Sequence, residues 1–121
     1  RERFSYLFRG NALYPAVLTS HAIEGDWTLG GAKVRFVDQP HGRITSLGIR
    51  FDQDGSSISY AIDFVELTDA MAALYEGTEV WIADCLRRRP HPTHAHLDAV
   101  LGWARELGVG QLLLTHLDNS M

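Results

Sequence analysis

The chain has 121 residues, which is enough to bury the core of one domain at most. Its composition, 45% hydrophobic and 21% charged, is typical of a globular protein, and no stretch is apolar enough to cross a bilayer. A formal charge of −4 argues against a broad nucleic-acid-binding surface, because such surfaces need clustered positive charge. The single cysteine cannot form an internal disulfide and no signal peptide opens the sequence, so we expect a cytoplasmic location.

The first half of the chain predicts β-strands. Apolar and β-branched residues recur there in runs that are bounded by glycine, proline and aspartate. The predicted strands cover residues 17–23, 32–37, 46–51 and 56–63. Between the last two strands, Asp54-Gly55 is a strong hairpin signal. The second strand is expected to end before an exposed loop, residues 38–42, which carries His41.

The second half predicts helices alternating with strands. Thr68 is placed to cap a helix that ends at Gly77, and Thr93 to cap a second helix that Gly108 stops. The apolar face of the first helix comprises Met71, Leu74 and Tyr75. Buried strands are predicted over residues 79–85 and 111–116. The order strand, helix, strand, helix, strand predicts a mixed α/β (α+β) fold.

Three polar residues lie at or just after strand ends, where a rigid scaffold presents side chains to a cleft: His41, Asp63 and His116. Neutral imidazole and carboxylate suit zinc, manganese or iron, and a carboxylate can bridge two cations. Two such ions would polarise a phosphoryl oxygen and generate hydroxide near neutral pH. Each residue also has a plainer interpretation: a solvated loop histidine, a carboxylate capping the next turn, and an imidazole that merely ends a strand.

A cluster of histidines, His91, His94 and His96, precedes the last predicted helix. By itself the cluster could hold a single metal ion. Alternatively, His94 lies in the first turn of that helix, where free amides favour an anion, and donates a proton to a leaving oxygen. The basic run 87–89 is interpreted as a solvated loop, although one guanidinium could orient a phosphate.

Taken in order, these residues resemble the metallo-β-lactamase superfamily, in the branch of PhnP-like phosphodiesterases and tRNA 3′-processing endonucleases. A histidine after a strand, a strand ending in Asp and a closing LTH are matched by His41 in PHGRITSLG, Asp63 in YAID and His116 in LLLTH. His94 in THAHLDAV matches a further histidine upstream of the closing LTH.

The resemblance implies two divalent ions, zinc or manganese, and a role for each matched residue. His41 would complete the ligands of the first ion, Asp63 would bridge both, and His116 would complete those of the second. His94 would contact the scissile phosphate or protonate the leaving group. The implied activity is hydrolysis of a small, cyclic or nucleotide-like phosphodiester, and the implied fold is the C-terminal half of a four-layer αββα sandwich.

The family signature HxHxDH is absent, since only His94 and His96 have the required alternate spacing and no Asp-His follows them. We therefore expect residues 1–121 to be a single partial domain, the C-terminal portion of a metallo-β-lactamase-like domain, and to be inactive alone. The absent half would leave a sheet edge and an apolar face uncovered. This predicts association with the N-terminal half or with a second copy as a homodimer, and no membrane or nucleic-acid partner is expected.

Other functions stay open. The chain could be a non-catalytic α/β module that binds a partner through an exposed sheet, and HxHxDH upstream would distinguish the two. A tRNA-processing nuclease would need a basic surface or an RNA-holding arm, which this acidic sequence does not display. In a single-metal site built from the three clustered histidines, replacing His41 and Asp63 would leave metal binding intact.

Overall fold

A computed structural model describes residues 4–121, in which six strands form a single mixed sheet whose spatial order follows the chain. The strands are β1 (Trp27–Leu29), β2 (Ala32–His41), β3 (Ile44–Gln53), β4 (Ser56–Ala61), β5 (Val80–Asp84) and β6 (Gln111–Thr115). The helices are α1 (Ser5–Arg9), α2 (Asp69–Tyr75) and α3 (Leu97–Glu106). Successive strands from β1 to β4 pair antiparallel, whereas β4 pairs parallel with β5 and β5 parallel with β6. The mixed α/β class is confirmed.

The hairpin at Asp54-Gly55 is confirmed, with β3 and β4 as its arms. The predicted loop over residues 38–42 is wrong, because β2 stays paired with β3 as far as His41, opposite Ile44. The chain turns instead at Gly42, whose φ of 62° suits a residue without a side chain. His41 is therefore a half-buried strand residue at the end of β2.

The predicted strand over residues 17–23 is also wrong. This segment has no regular secondary structure, and the backbone amides of Val17 and Leu18 donate to the carbonyl of Leu7 at 3.0 and 2.9 Å. The side chain of Val17 is 67% exposed. β-Branched residues favour a strand only where a partner strand and a packed face are available, and α1 supplies neither here.

Helix α2 begins as predicted: the Thr68 side chain caps it by accepting a hydrogen bond from the Met71 amide at 3.2 Å. Helix α3 begins later than predicted, because His96 rather than Thr93 is its N-cap. The preceding loop is held to the end of β5 by hydrogen bonds from Leu86 N to Ala95 O and from Leu97 N to Arg87 O, both 3.1 Å long. Those bonds occupy backbone groups that a longer helix would need.

The two faces of the sheet are covered unequally. Under α2 and α3, Ala61, Trp81 and Ala83 are fully buried. On the opposite face the register aligns one apolar residue from each of four neighbouring strands: Ile49, Tyr60, Ile82 and Leu113. Tyr60 is 37% exposed and Leu113 is 42% exposed. The predicted buried strand β6 is thus a half-exposed edge strand, and the apolar face lacks a covering layer within residues 4–121.

Helix α3, with ten residues, is the longest helix in residues 4–121. A membrane-spanning helix needs about 20 residues. Accordingly, none of the helices described is a candidate for crossing a bilayer.

Candidate metal centre

The carboxyl ends of β4, β5 and β6 lie side by side because the three strands are parallel. Asp63 follows β4, Asp84 ends β5, His94 lies in the loop between β5 and α3, and His116 follows β6. One donor atom from each of these residues lies within 4.8 Å of the others. The fold therefore assembles two carboxylates and two imidazoles at one edge of the sheet.

Two members of the group leave their strands through a left-handed backbone conformation. The φ angle is 56° at Asp63 and 62° at His116. Such conformations cost on the order of 1 kcal/mol or more and persist where the surroundings fix them, commonly at functional sites. Here they leave Asp63 Oδ1 3.4 Å from His116 Nδ1. The plainer interpretation of Asp63, a carboxylate that caps the next turn, has no supporting hydrogen bond within the described residues.

Asp84 fixes the orientation of His94. The Asp84 carboxylate is fully buried, and its Oδ2 accepts hydrogen bonds from His94 Nδ1 at 2.7 Å and from the Asp63 backbone amide at 2.9 Å. Because an ionised carboxylate only accepts, the proton of a neutral His94 lies on Nδ1 and its Nε2 is free. The prediction that His94 lies in the first turn of α3 is wrong, so a carboxylate, not a helix terminus, orients this ring.

The other oxygen of Asp84, Oδ1, is buried and has no hydrogen-bond partner in residues 4–121. A buried, unpaired carboxylate oxygen is costly unless a proton donor or a cation satisfies it. Mixed carboxylate and imidazole ligands suit zinc or manganese. The unpaired oxygen and the donor set together fit the divalent metal that the sequence predicts.

His41 lies beside this group but outside it. Its ring centroid is 4.7 Å from that of His94, and its Nδ1 lies 2.8 Å from the carbonyl oxygen of Thr93. Since a carbonyl only accepts, Nδ1 carries the proton and Nε2 offers a lone pair. A histidine that donates one ring N–H to a backbone carbonyl in this way is typical of a metal ligand.

The clustered histidines do not form a site of their own among the described residues, because only His94 belongs to the converging group. His91 Nδ1 accepts a hydrogen bond from the Thr93 amide at 3.3 Å. Desolvation, then the positive charge of Arg87, lower the pKa of His91. His96 is the N-cap of α3 but makes no capping hydrogen bond through its side chain. The three-histidine metal site therefore has no support in the geometry.

Among the sequence predictions, Asp63, His94 and His116 are brought together and His41 lies adjacent, while their individual roles stay predictions. Asp84 is the residue that the sequence analysis missed. Its signal was present, since the apolar run VWIAD ends in a carboxylate just as YAID does. Burial and then the negative charge of Asp84 raise the pKa of the neighbouring Cys85 thiol, which keeps this group protonated.

Comparison with known proteins locates the chain in a family. The family model described as "Beta-lactamase superfamily domain" matches residues 1–117. No curated protein matches the chain at a significant level.

Several crystal structures share the fold. A diphosphatase from the PhnP family is 31% identical with a TM-score of 0.75, over 84% of this chain and 39% of that chain. The metallo-β-lactamase fold protein YhfI from Bacillus subtilis is 23% identical with a TM-score of 0.80, over 96% and 48%. The short form of human tRNase Z is 18% identical with a TM-score of 0.67, over 77% and 38%.

The chain thus spans less than half the length of each of these three proteins. The family model nevertheless matches nearly all of the chain. The chain belongs to the metallo-β-lactamase superfamily, whose members are metal-dependent hydrolases.

Proposed function

We propose that this chain is the C-terminal portion of a dinuclear metal-dependent hydrolase that cleaves a small phosphodiester, such as a cyclic or nucleotide-like phosphate. The observation that carries the proposal is the convergence of Asp63, Asp84, His94 and His116 at the ends of three parallel strands. The 31% identity to a diphosphatase of the PhnP family favours a phosphoryl substrate.

The proposed ligands are His41 for the first ion, Asp63 for both and His116 for the second, with zinc or manganese as the metals. When bound, such ions supply Lewis-acid activation of a phosphoryl oxygen and favour hydroxide near neutral pH. The free Nε2 of His41 and the position of Asp63 Oδ1, 3.4 Å from His116 Nδ1, support this division of roles.

His94 is the proposed proton donor. The hydrogen bond to Asp84 holds Nδ1, so a protonated His94 presents a second N–H at Nε2. The oxygen of the attacking water would form its bond to phosphorus and release one proton to solvent, while the bond to the leaving oxygen breaks and Nε2 gives its own proton to that oxygen. Asp84 keeps the ring in one orientation throughout, because its contact is on the other nitrogen.

Positive charge in the loop that follows β5 supports an anionic substrate in an otherwise acidic chain. Arg87, Arg88 and Arg89 line, with Ser120, a cavity of about 580 Å³. Within residues 4–121, no carboxylate forms an ion pair with any of the three guanidinium groups. Arg87 instead donates to the carbonyl oxygens of Arg89 and Pro90 at 3.3 and 2.9 Å. Arg88 Nε donates to the Met121 oxygen at 3.2 Å, and the positive charge of Arg87 contributes, after hydrogen bonds from Ser120, to lowering the pKa of Asp118. Guanidinium groups without a carboxylate hydrogen bond can still bind phosphate.

The proposal also concerns the rest of the protein. An upstream half carrying HxHxDH would supply the remaining ligands and cover the apolar sheet face around Tyr60 and Leu113. A second copy of the chain, as a homodimer, is the other way to cover this face. A cytoplasmic location, without membrane or nucleic-acid partners, stays a prediction.

The test is metal content and hydrolysis of bis-p-nitrophenyl phosphate by the longer protein and by His41→Ala, Asp63→Ala and His116→Ala. His21→Ala is the matched control, because His21 is exposed and lies in an irregular segment before the sheet. About two metals per chain, with hydrolysis lost in the three site variants and kept in the control, would support the proposal. A metal-free, inactive protein would leave the binding-module hypothesis in its place.

A further inference from the structure

A fully buried glutamine lies beneath the turn that carries Asp63. Gln39, on β2, is 0% exposed. Its Oε1 accepts a hydrogen bond from the Tyr75 hydroxyl at 2.7 Å. Its Nε2 donates to Ser46 Oγ and to the Ile62 carbonyl oxygen, each at 2.9 Å. Both hydrogens and the oxygen of the carboxamide have partners, so only one orientation of this group satisfies all three.

Ser46 pairs with Gln39 between β2 and β3, and its hydroxyl extends the hydrogen-bond network to Asp63. Its Oγ accepts from Gln39 and lies 2.8 Å from the Asp63 carbonyl oxygen, closer than the 3.1 Å to the Ile62 carbonyl oxygen. A hydroxyl has one proton, so we assign it to the shorter contact. With Asp84 Oδ2 accepting from the Asp63 amide, both backbone polar groups of Asp63 are held.

The far end of this network is anchored in the core. Gly48 makes room for the Tyr75 hydroxyl, since a Cβ at this position would overlap that hydroxyl and lie 2.7 Å from Gln39 Oε1. Arg50 holds the end of α2 by donating from Nη1 to the carbonyl oxygens of Leu74 and Glu76 at 2.9 and 2.8 Å. Burial raises the pKa of Tyr75, so its hydroxyl remains a donor.

We propose that Gln39, Ser46 and Tyr75 form a positioning unit that holds Asp63 in its left-handed conformation and so aims its carboxylate at His116. The metal-related part of this inference rests on the proposed function, but the conformational part does not. A left-handed non-glycine residue persists only where its surroundings fix it, and these hydrogen bonds reach the turn from β2, β3 and α2. None of the three side chains touches the reacting atoms.

If Gln39, Ser46 and Tyr75 only stabilised the fold, their loss should act as the loss of any other buried hydrogen bond does. Ser59 provides the control for this comparison. Ser59 is also fully buried, and its hydroxyl donates to Thr78 Oγ1 at 3.0 Å. Its side chain makes no hydrogen bond to the turn at Asp63. Ser59→Ala therefore removes one buried hydrogen bond without touching the proposed unit.

The experiment measures two quantities in the full chain: hydrogen exchange of the Asp63 amide in the metal-free protein, and zinc affinity by competition with a chromophoric chelator. The variants are Gln39→Met, Tyr75→Phe and Ser46→Ala, and Ser46→Thr is the conservative variant that keeps the hydroxyl. Tyr75→Phe and Ser46→Ala remove single polar groups, so they still report if Gln39→Met fails to fold.

We expect the three disruptive variants to accelerate Asp63 exchange about tenfold or more. Zinc affinity should fall about 10- to 100-fold, as it does when the partners of metal ligands are removed. Ser46→Thr should keep the exchange rate and the zinc affinity close to those of the wild type. Ser59→Ala should leave both unchanged, even if it lowers the Tm as much as the three disruptive variants do. If the changes in exchange rate and zinc affinity simply follow the change in Tm in every variant, including Ser59→Ala, the inference is overturned. If neither the wild-type chain nor the proposed longer protein binds zinc, the proposed function fails separately, and the exchange measurement alone decides the positioning role.

Discussion

The two ends of the sheet each gather a carboxylate with cationic or ionisable partners, but they do so differently. At the end where β3 turns into β4, Asp52 is bound by Arg35 at 2.9 Å and by Arg50 at 3.0 Å. At the opposite end, the ion-pair partners of Asp63 and Asp84 among the described residues are histidines alone.

The difference separates a structural ion pair from a candidate site. Hydrogen bonds from Arg35 and Arg50 and their positive charges outweigh burial and lower the pKa of Asp52. Asp84 keeps one buried oxygen without a partner, and Asp63 is held in a left-handed conformation. Arg35 Nε is also buried without a partner in the described part of the chain, but both oxygens of Asp52 accept from guanidinium groups, so this carboxylate needs no further ligand. Carboxylate and imidazole groups that converge with an unpaired oxygen can bind one.

The largest effect is expected from Asp63→Asn. Asn tolerates a left-handed backbone as Asp does, so the change removes charge without adding strain. We expect metal affinity to fall by more than about 100-fold, since loss of a ligand should exceed the cost of losing a ligand's partner. Equilibrium dialysis of the proposed longer protein against zinc measures this. Asp52→Asn at the far end is the control, and equal losses in the two variants would erase the distinction between the ends.

Asp84→Asn should have the next largest effect. An asparagine oxygen can still accept from His94 and from the Asp63 amide, but it is neutral, so it stabilises a protonated His94 less than the carboxylate does. We expect kcat per bound metal to fall by about 10²- to 10⁴-fold, the usual contribution of a general acid. Steady-state hydrolysis of bis-p-nitrophenyl phosphate is the assay. A variant with unchanged kcat would refute the proton-donor role of His94.

Asp52→Asn should lower stability rather than metal binding, by about 1–3 kcal/mol, because it weakens hydrogen bonds to charged groups. A lowered pKa in the folded state means that Asp52 stabilises the fold above its unfolded value of 3.8. This stabilisation disappears as the pH falls through the folded pKa. Urea unfolding between pH 6 and pH 2 should therefore show a shallower acid loss in the variant, and parallel curves would contradict the assignment.

The smallest effect is expected from Lys33→Ala. Lys33 lies 3.2 Å from Asp26, but the two side chains are 59% and 53% exposed. Solvent screens such pairs, so the free energy of unfolding should change by less than about 0.5 kcal/mol. If Lys33→Ala lowered the free energy of unfolding as much as Asp52→Asn does, the exposed fraction of the side chains would not explain the difference between these ion pairs.

Local patterns predicted much of the fold. The hairpin at Asp54-Gly55, the Thr68 cap and the alternation of strands and helices after residue 56 depend on short-range geometry, and the structure has them. The strand predicted over residues 17–23 failed because pairing depends on a distant partner. The start of α3 was displaced because backbone bonds to Arg87 and Leu86 hold the preceding loop.

The site was harder to predict than the fold. Strand ends pointed to His41, Asp63 and His116, and the histidine cluster before the last predicted helix pointed to His94. Asp84 was missed because its importance lies in contacts across strands, to the Asp63 amide and to His94, which no sequence interval encodes. Gln39 looked like an ordinary polar residue, and the positioning role that we propose for it rests on its complete burial and its hydrogen bonds.

The most direct test of the central claim is an anomalous difference map at the zinc edge from crystals of the longer protein grown with zinc. We predict density for two ions in contact with His41, Asp63 and His116, with His94 Nδ1 still bound to Asp84. Density enclosed by His91, His94 and His96, or none at this edge of the sheet, would contradict it.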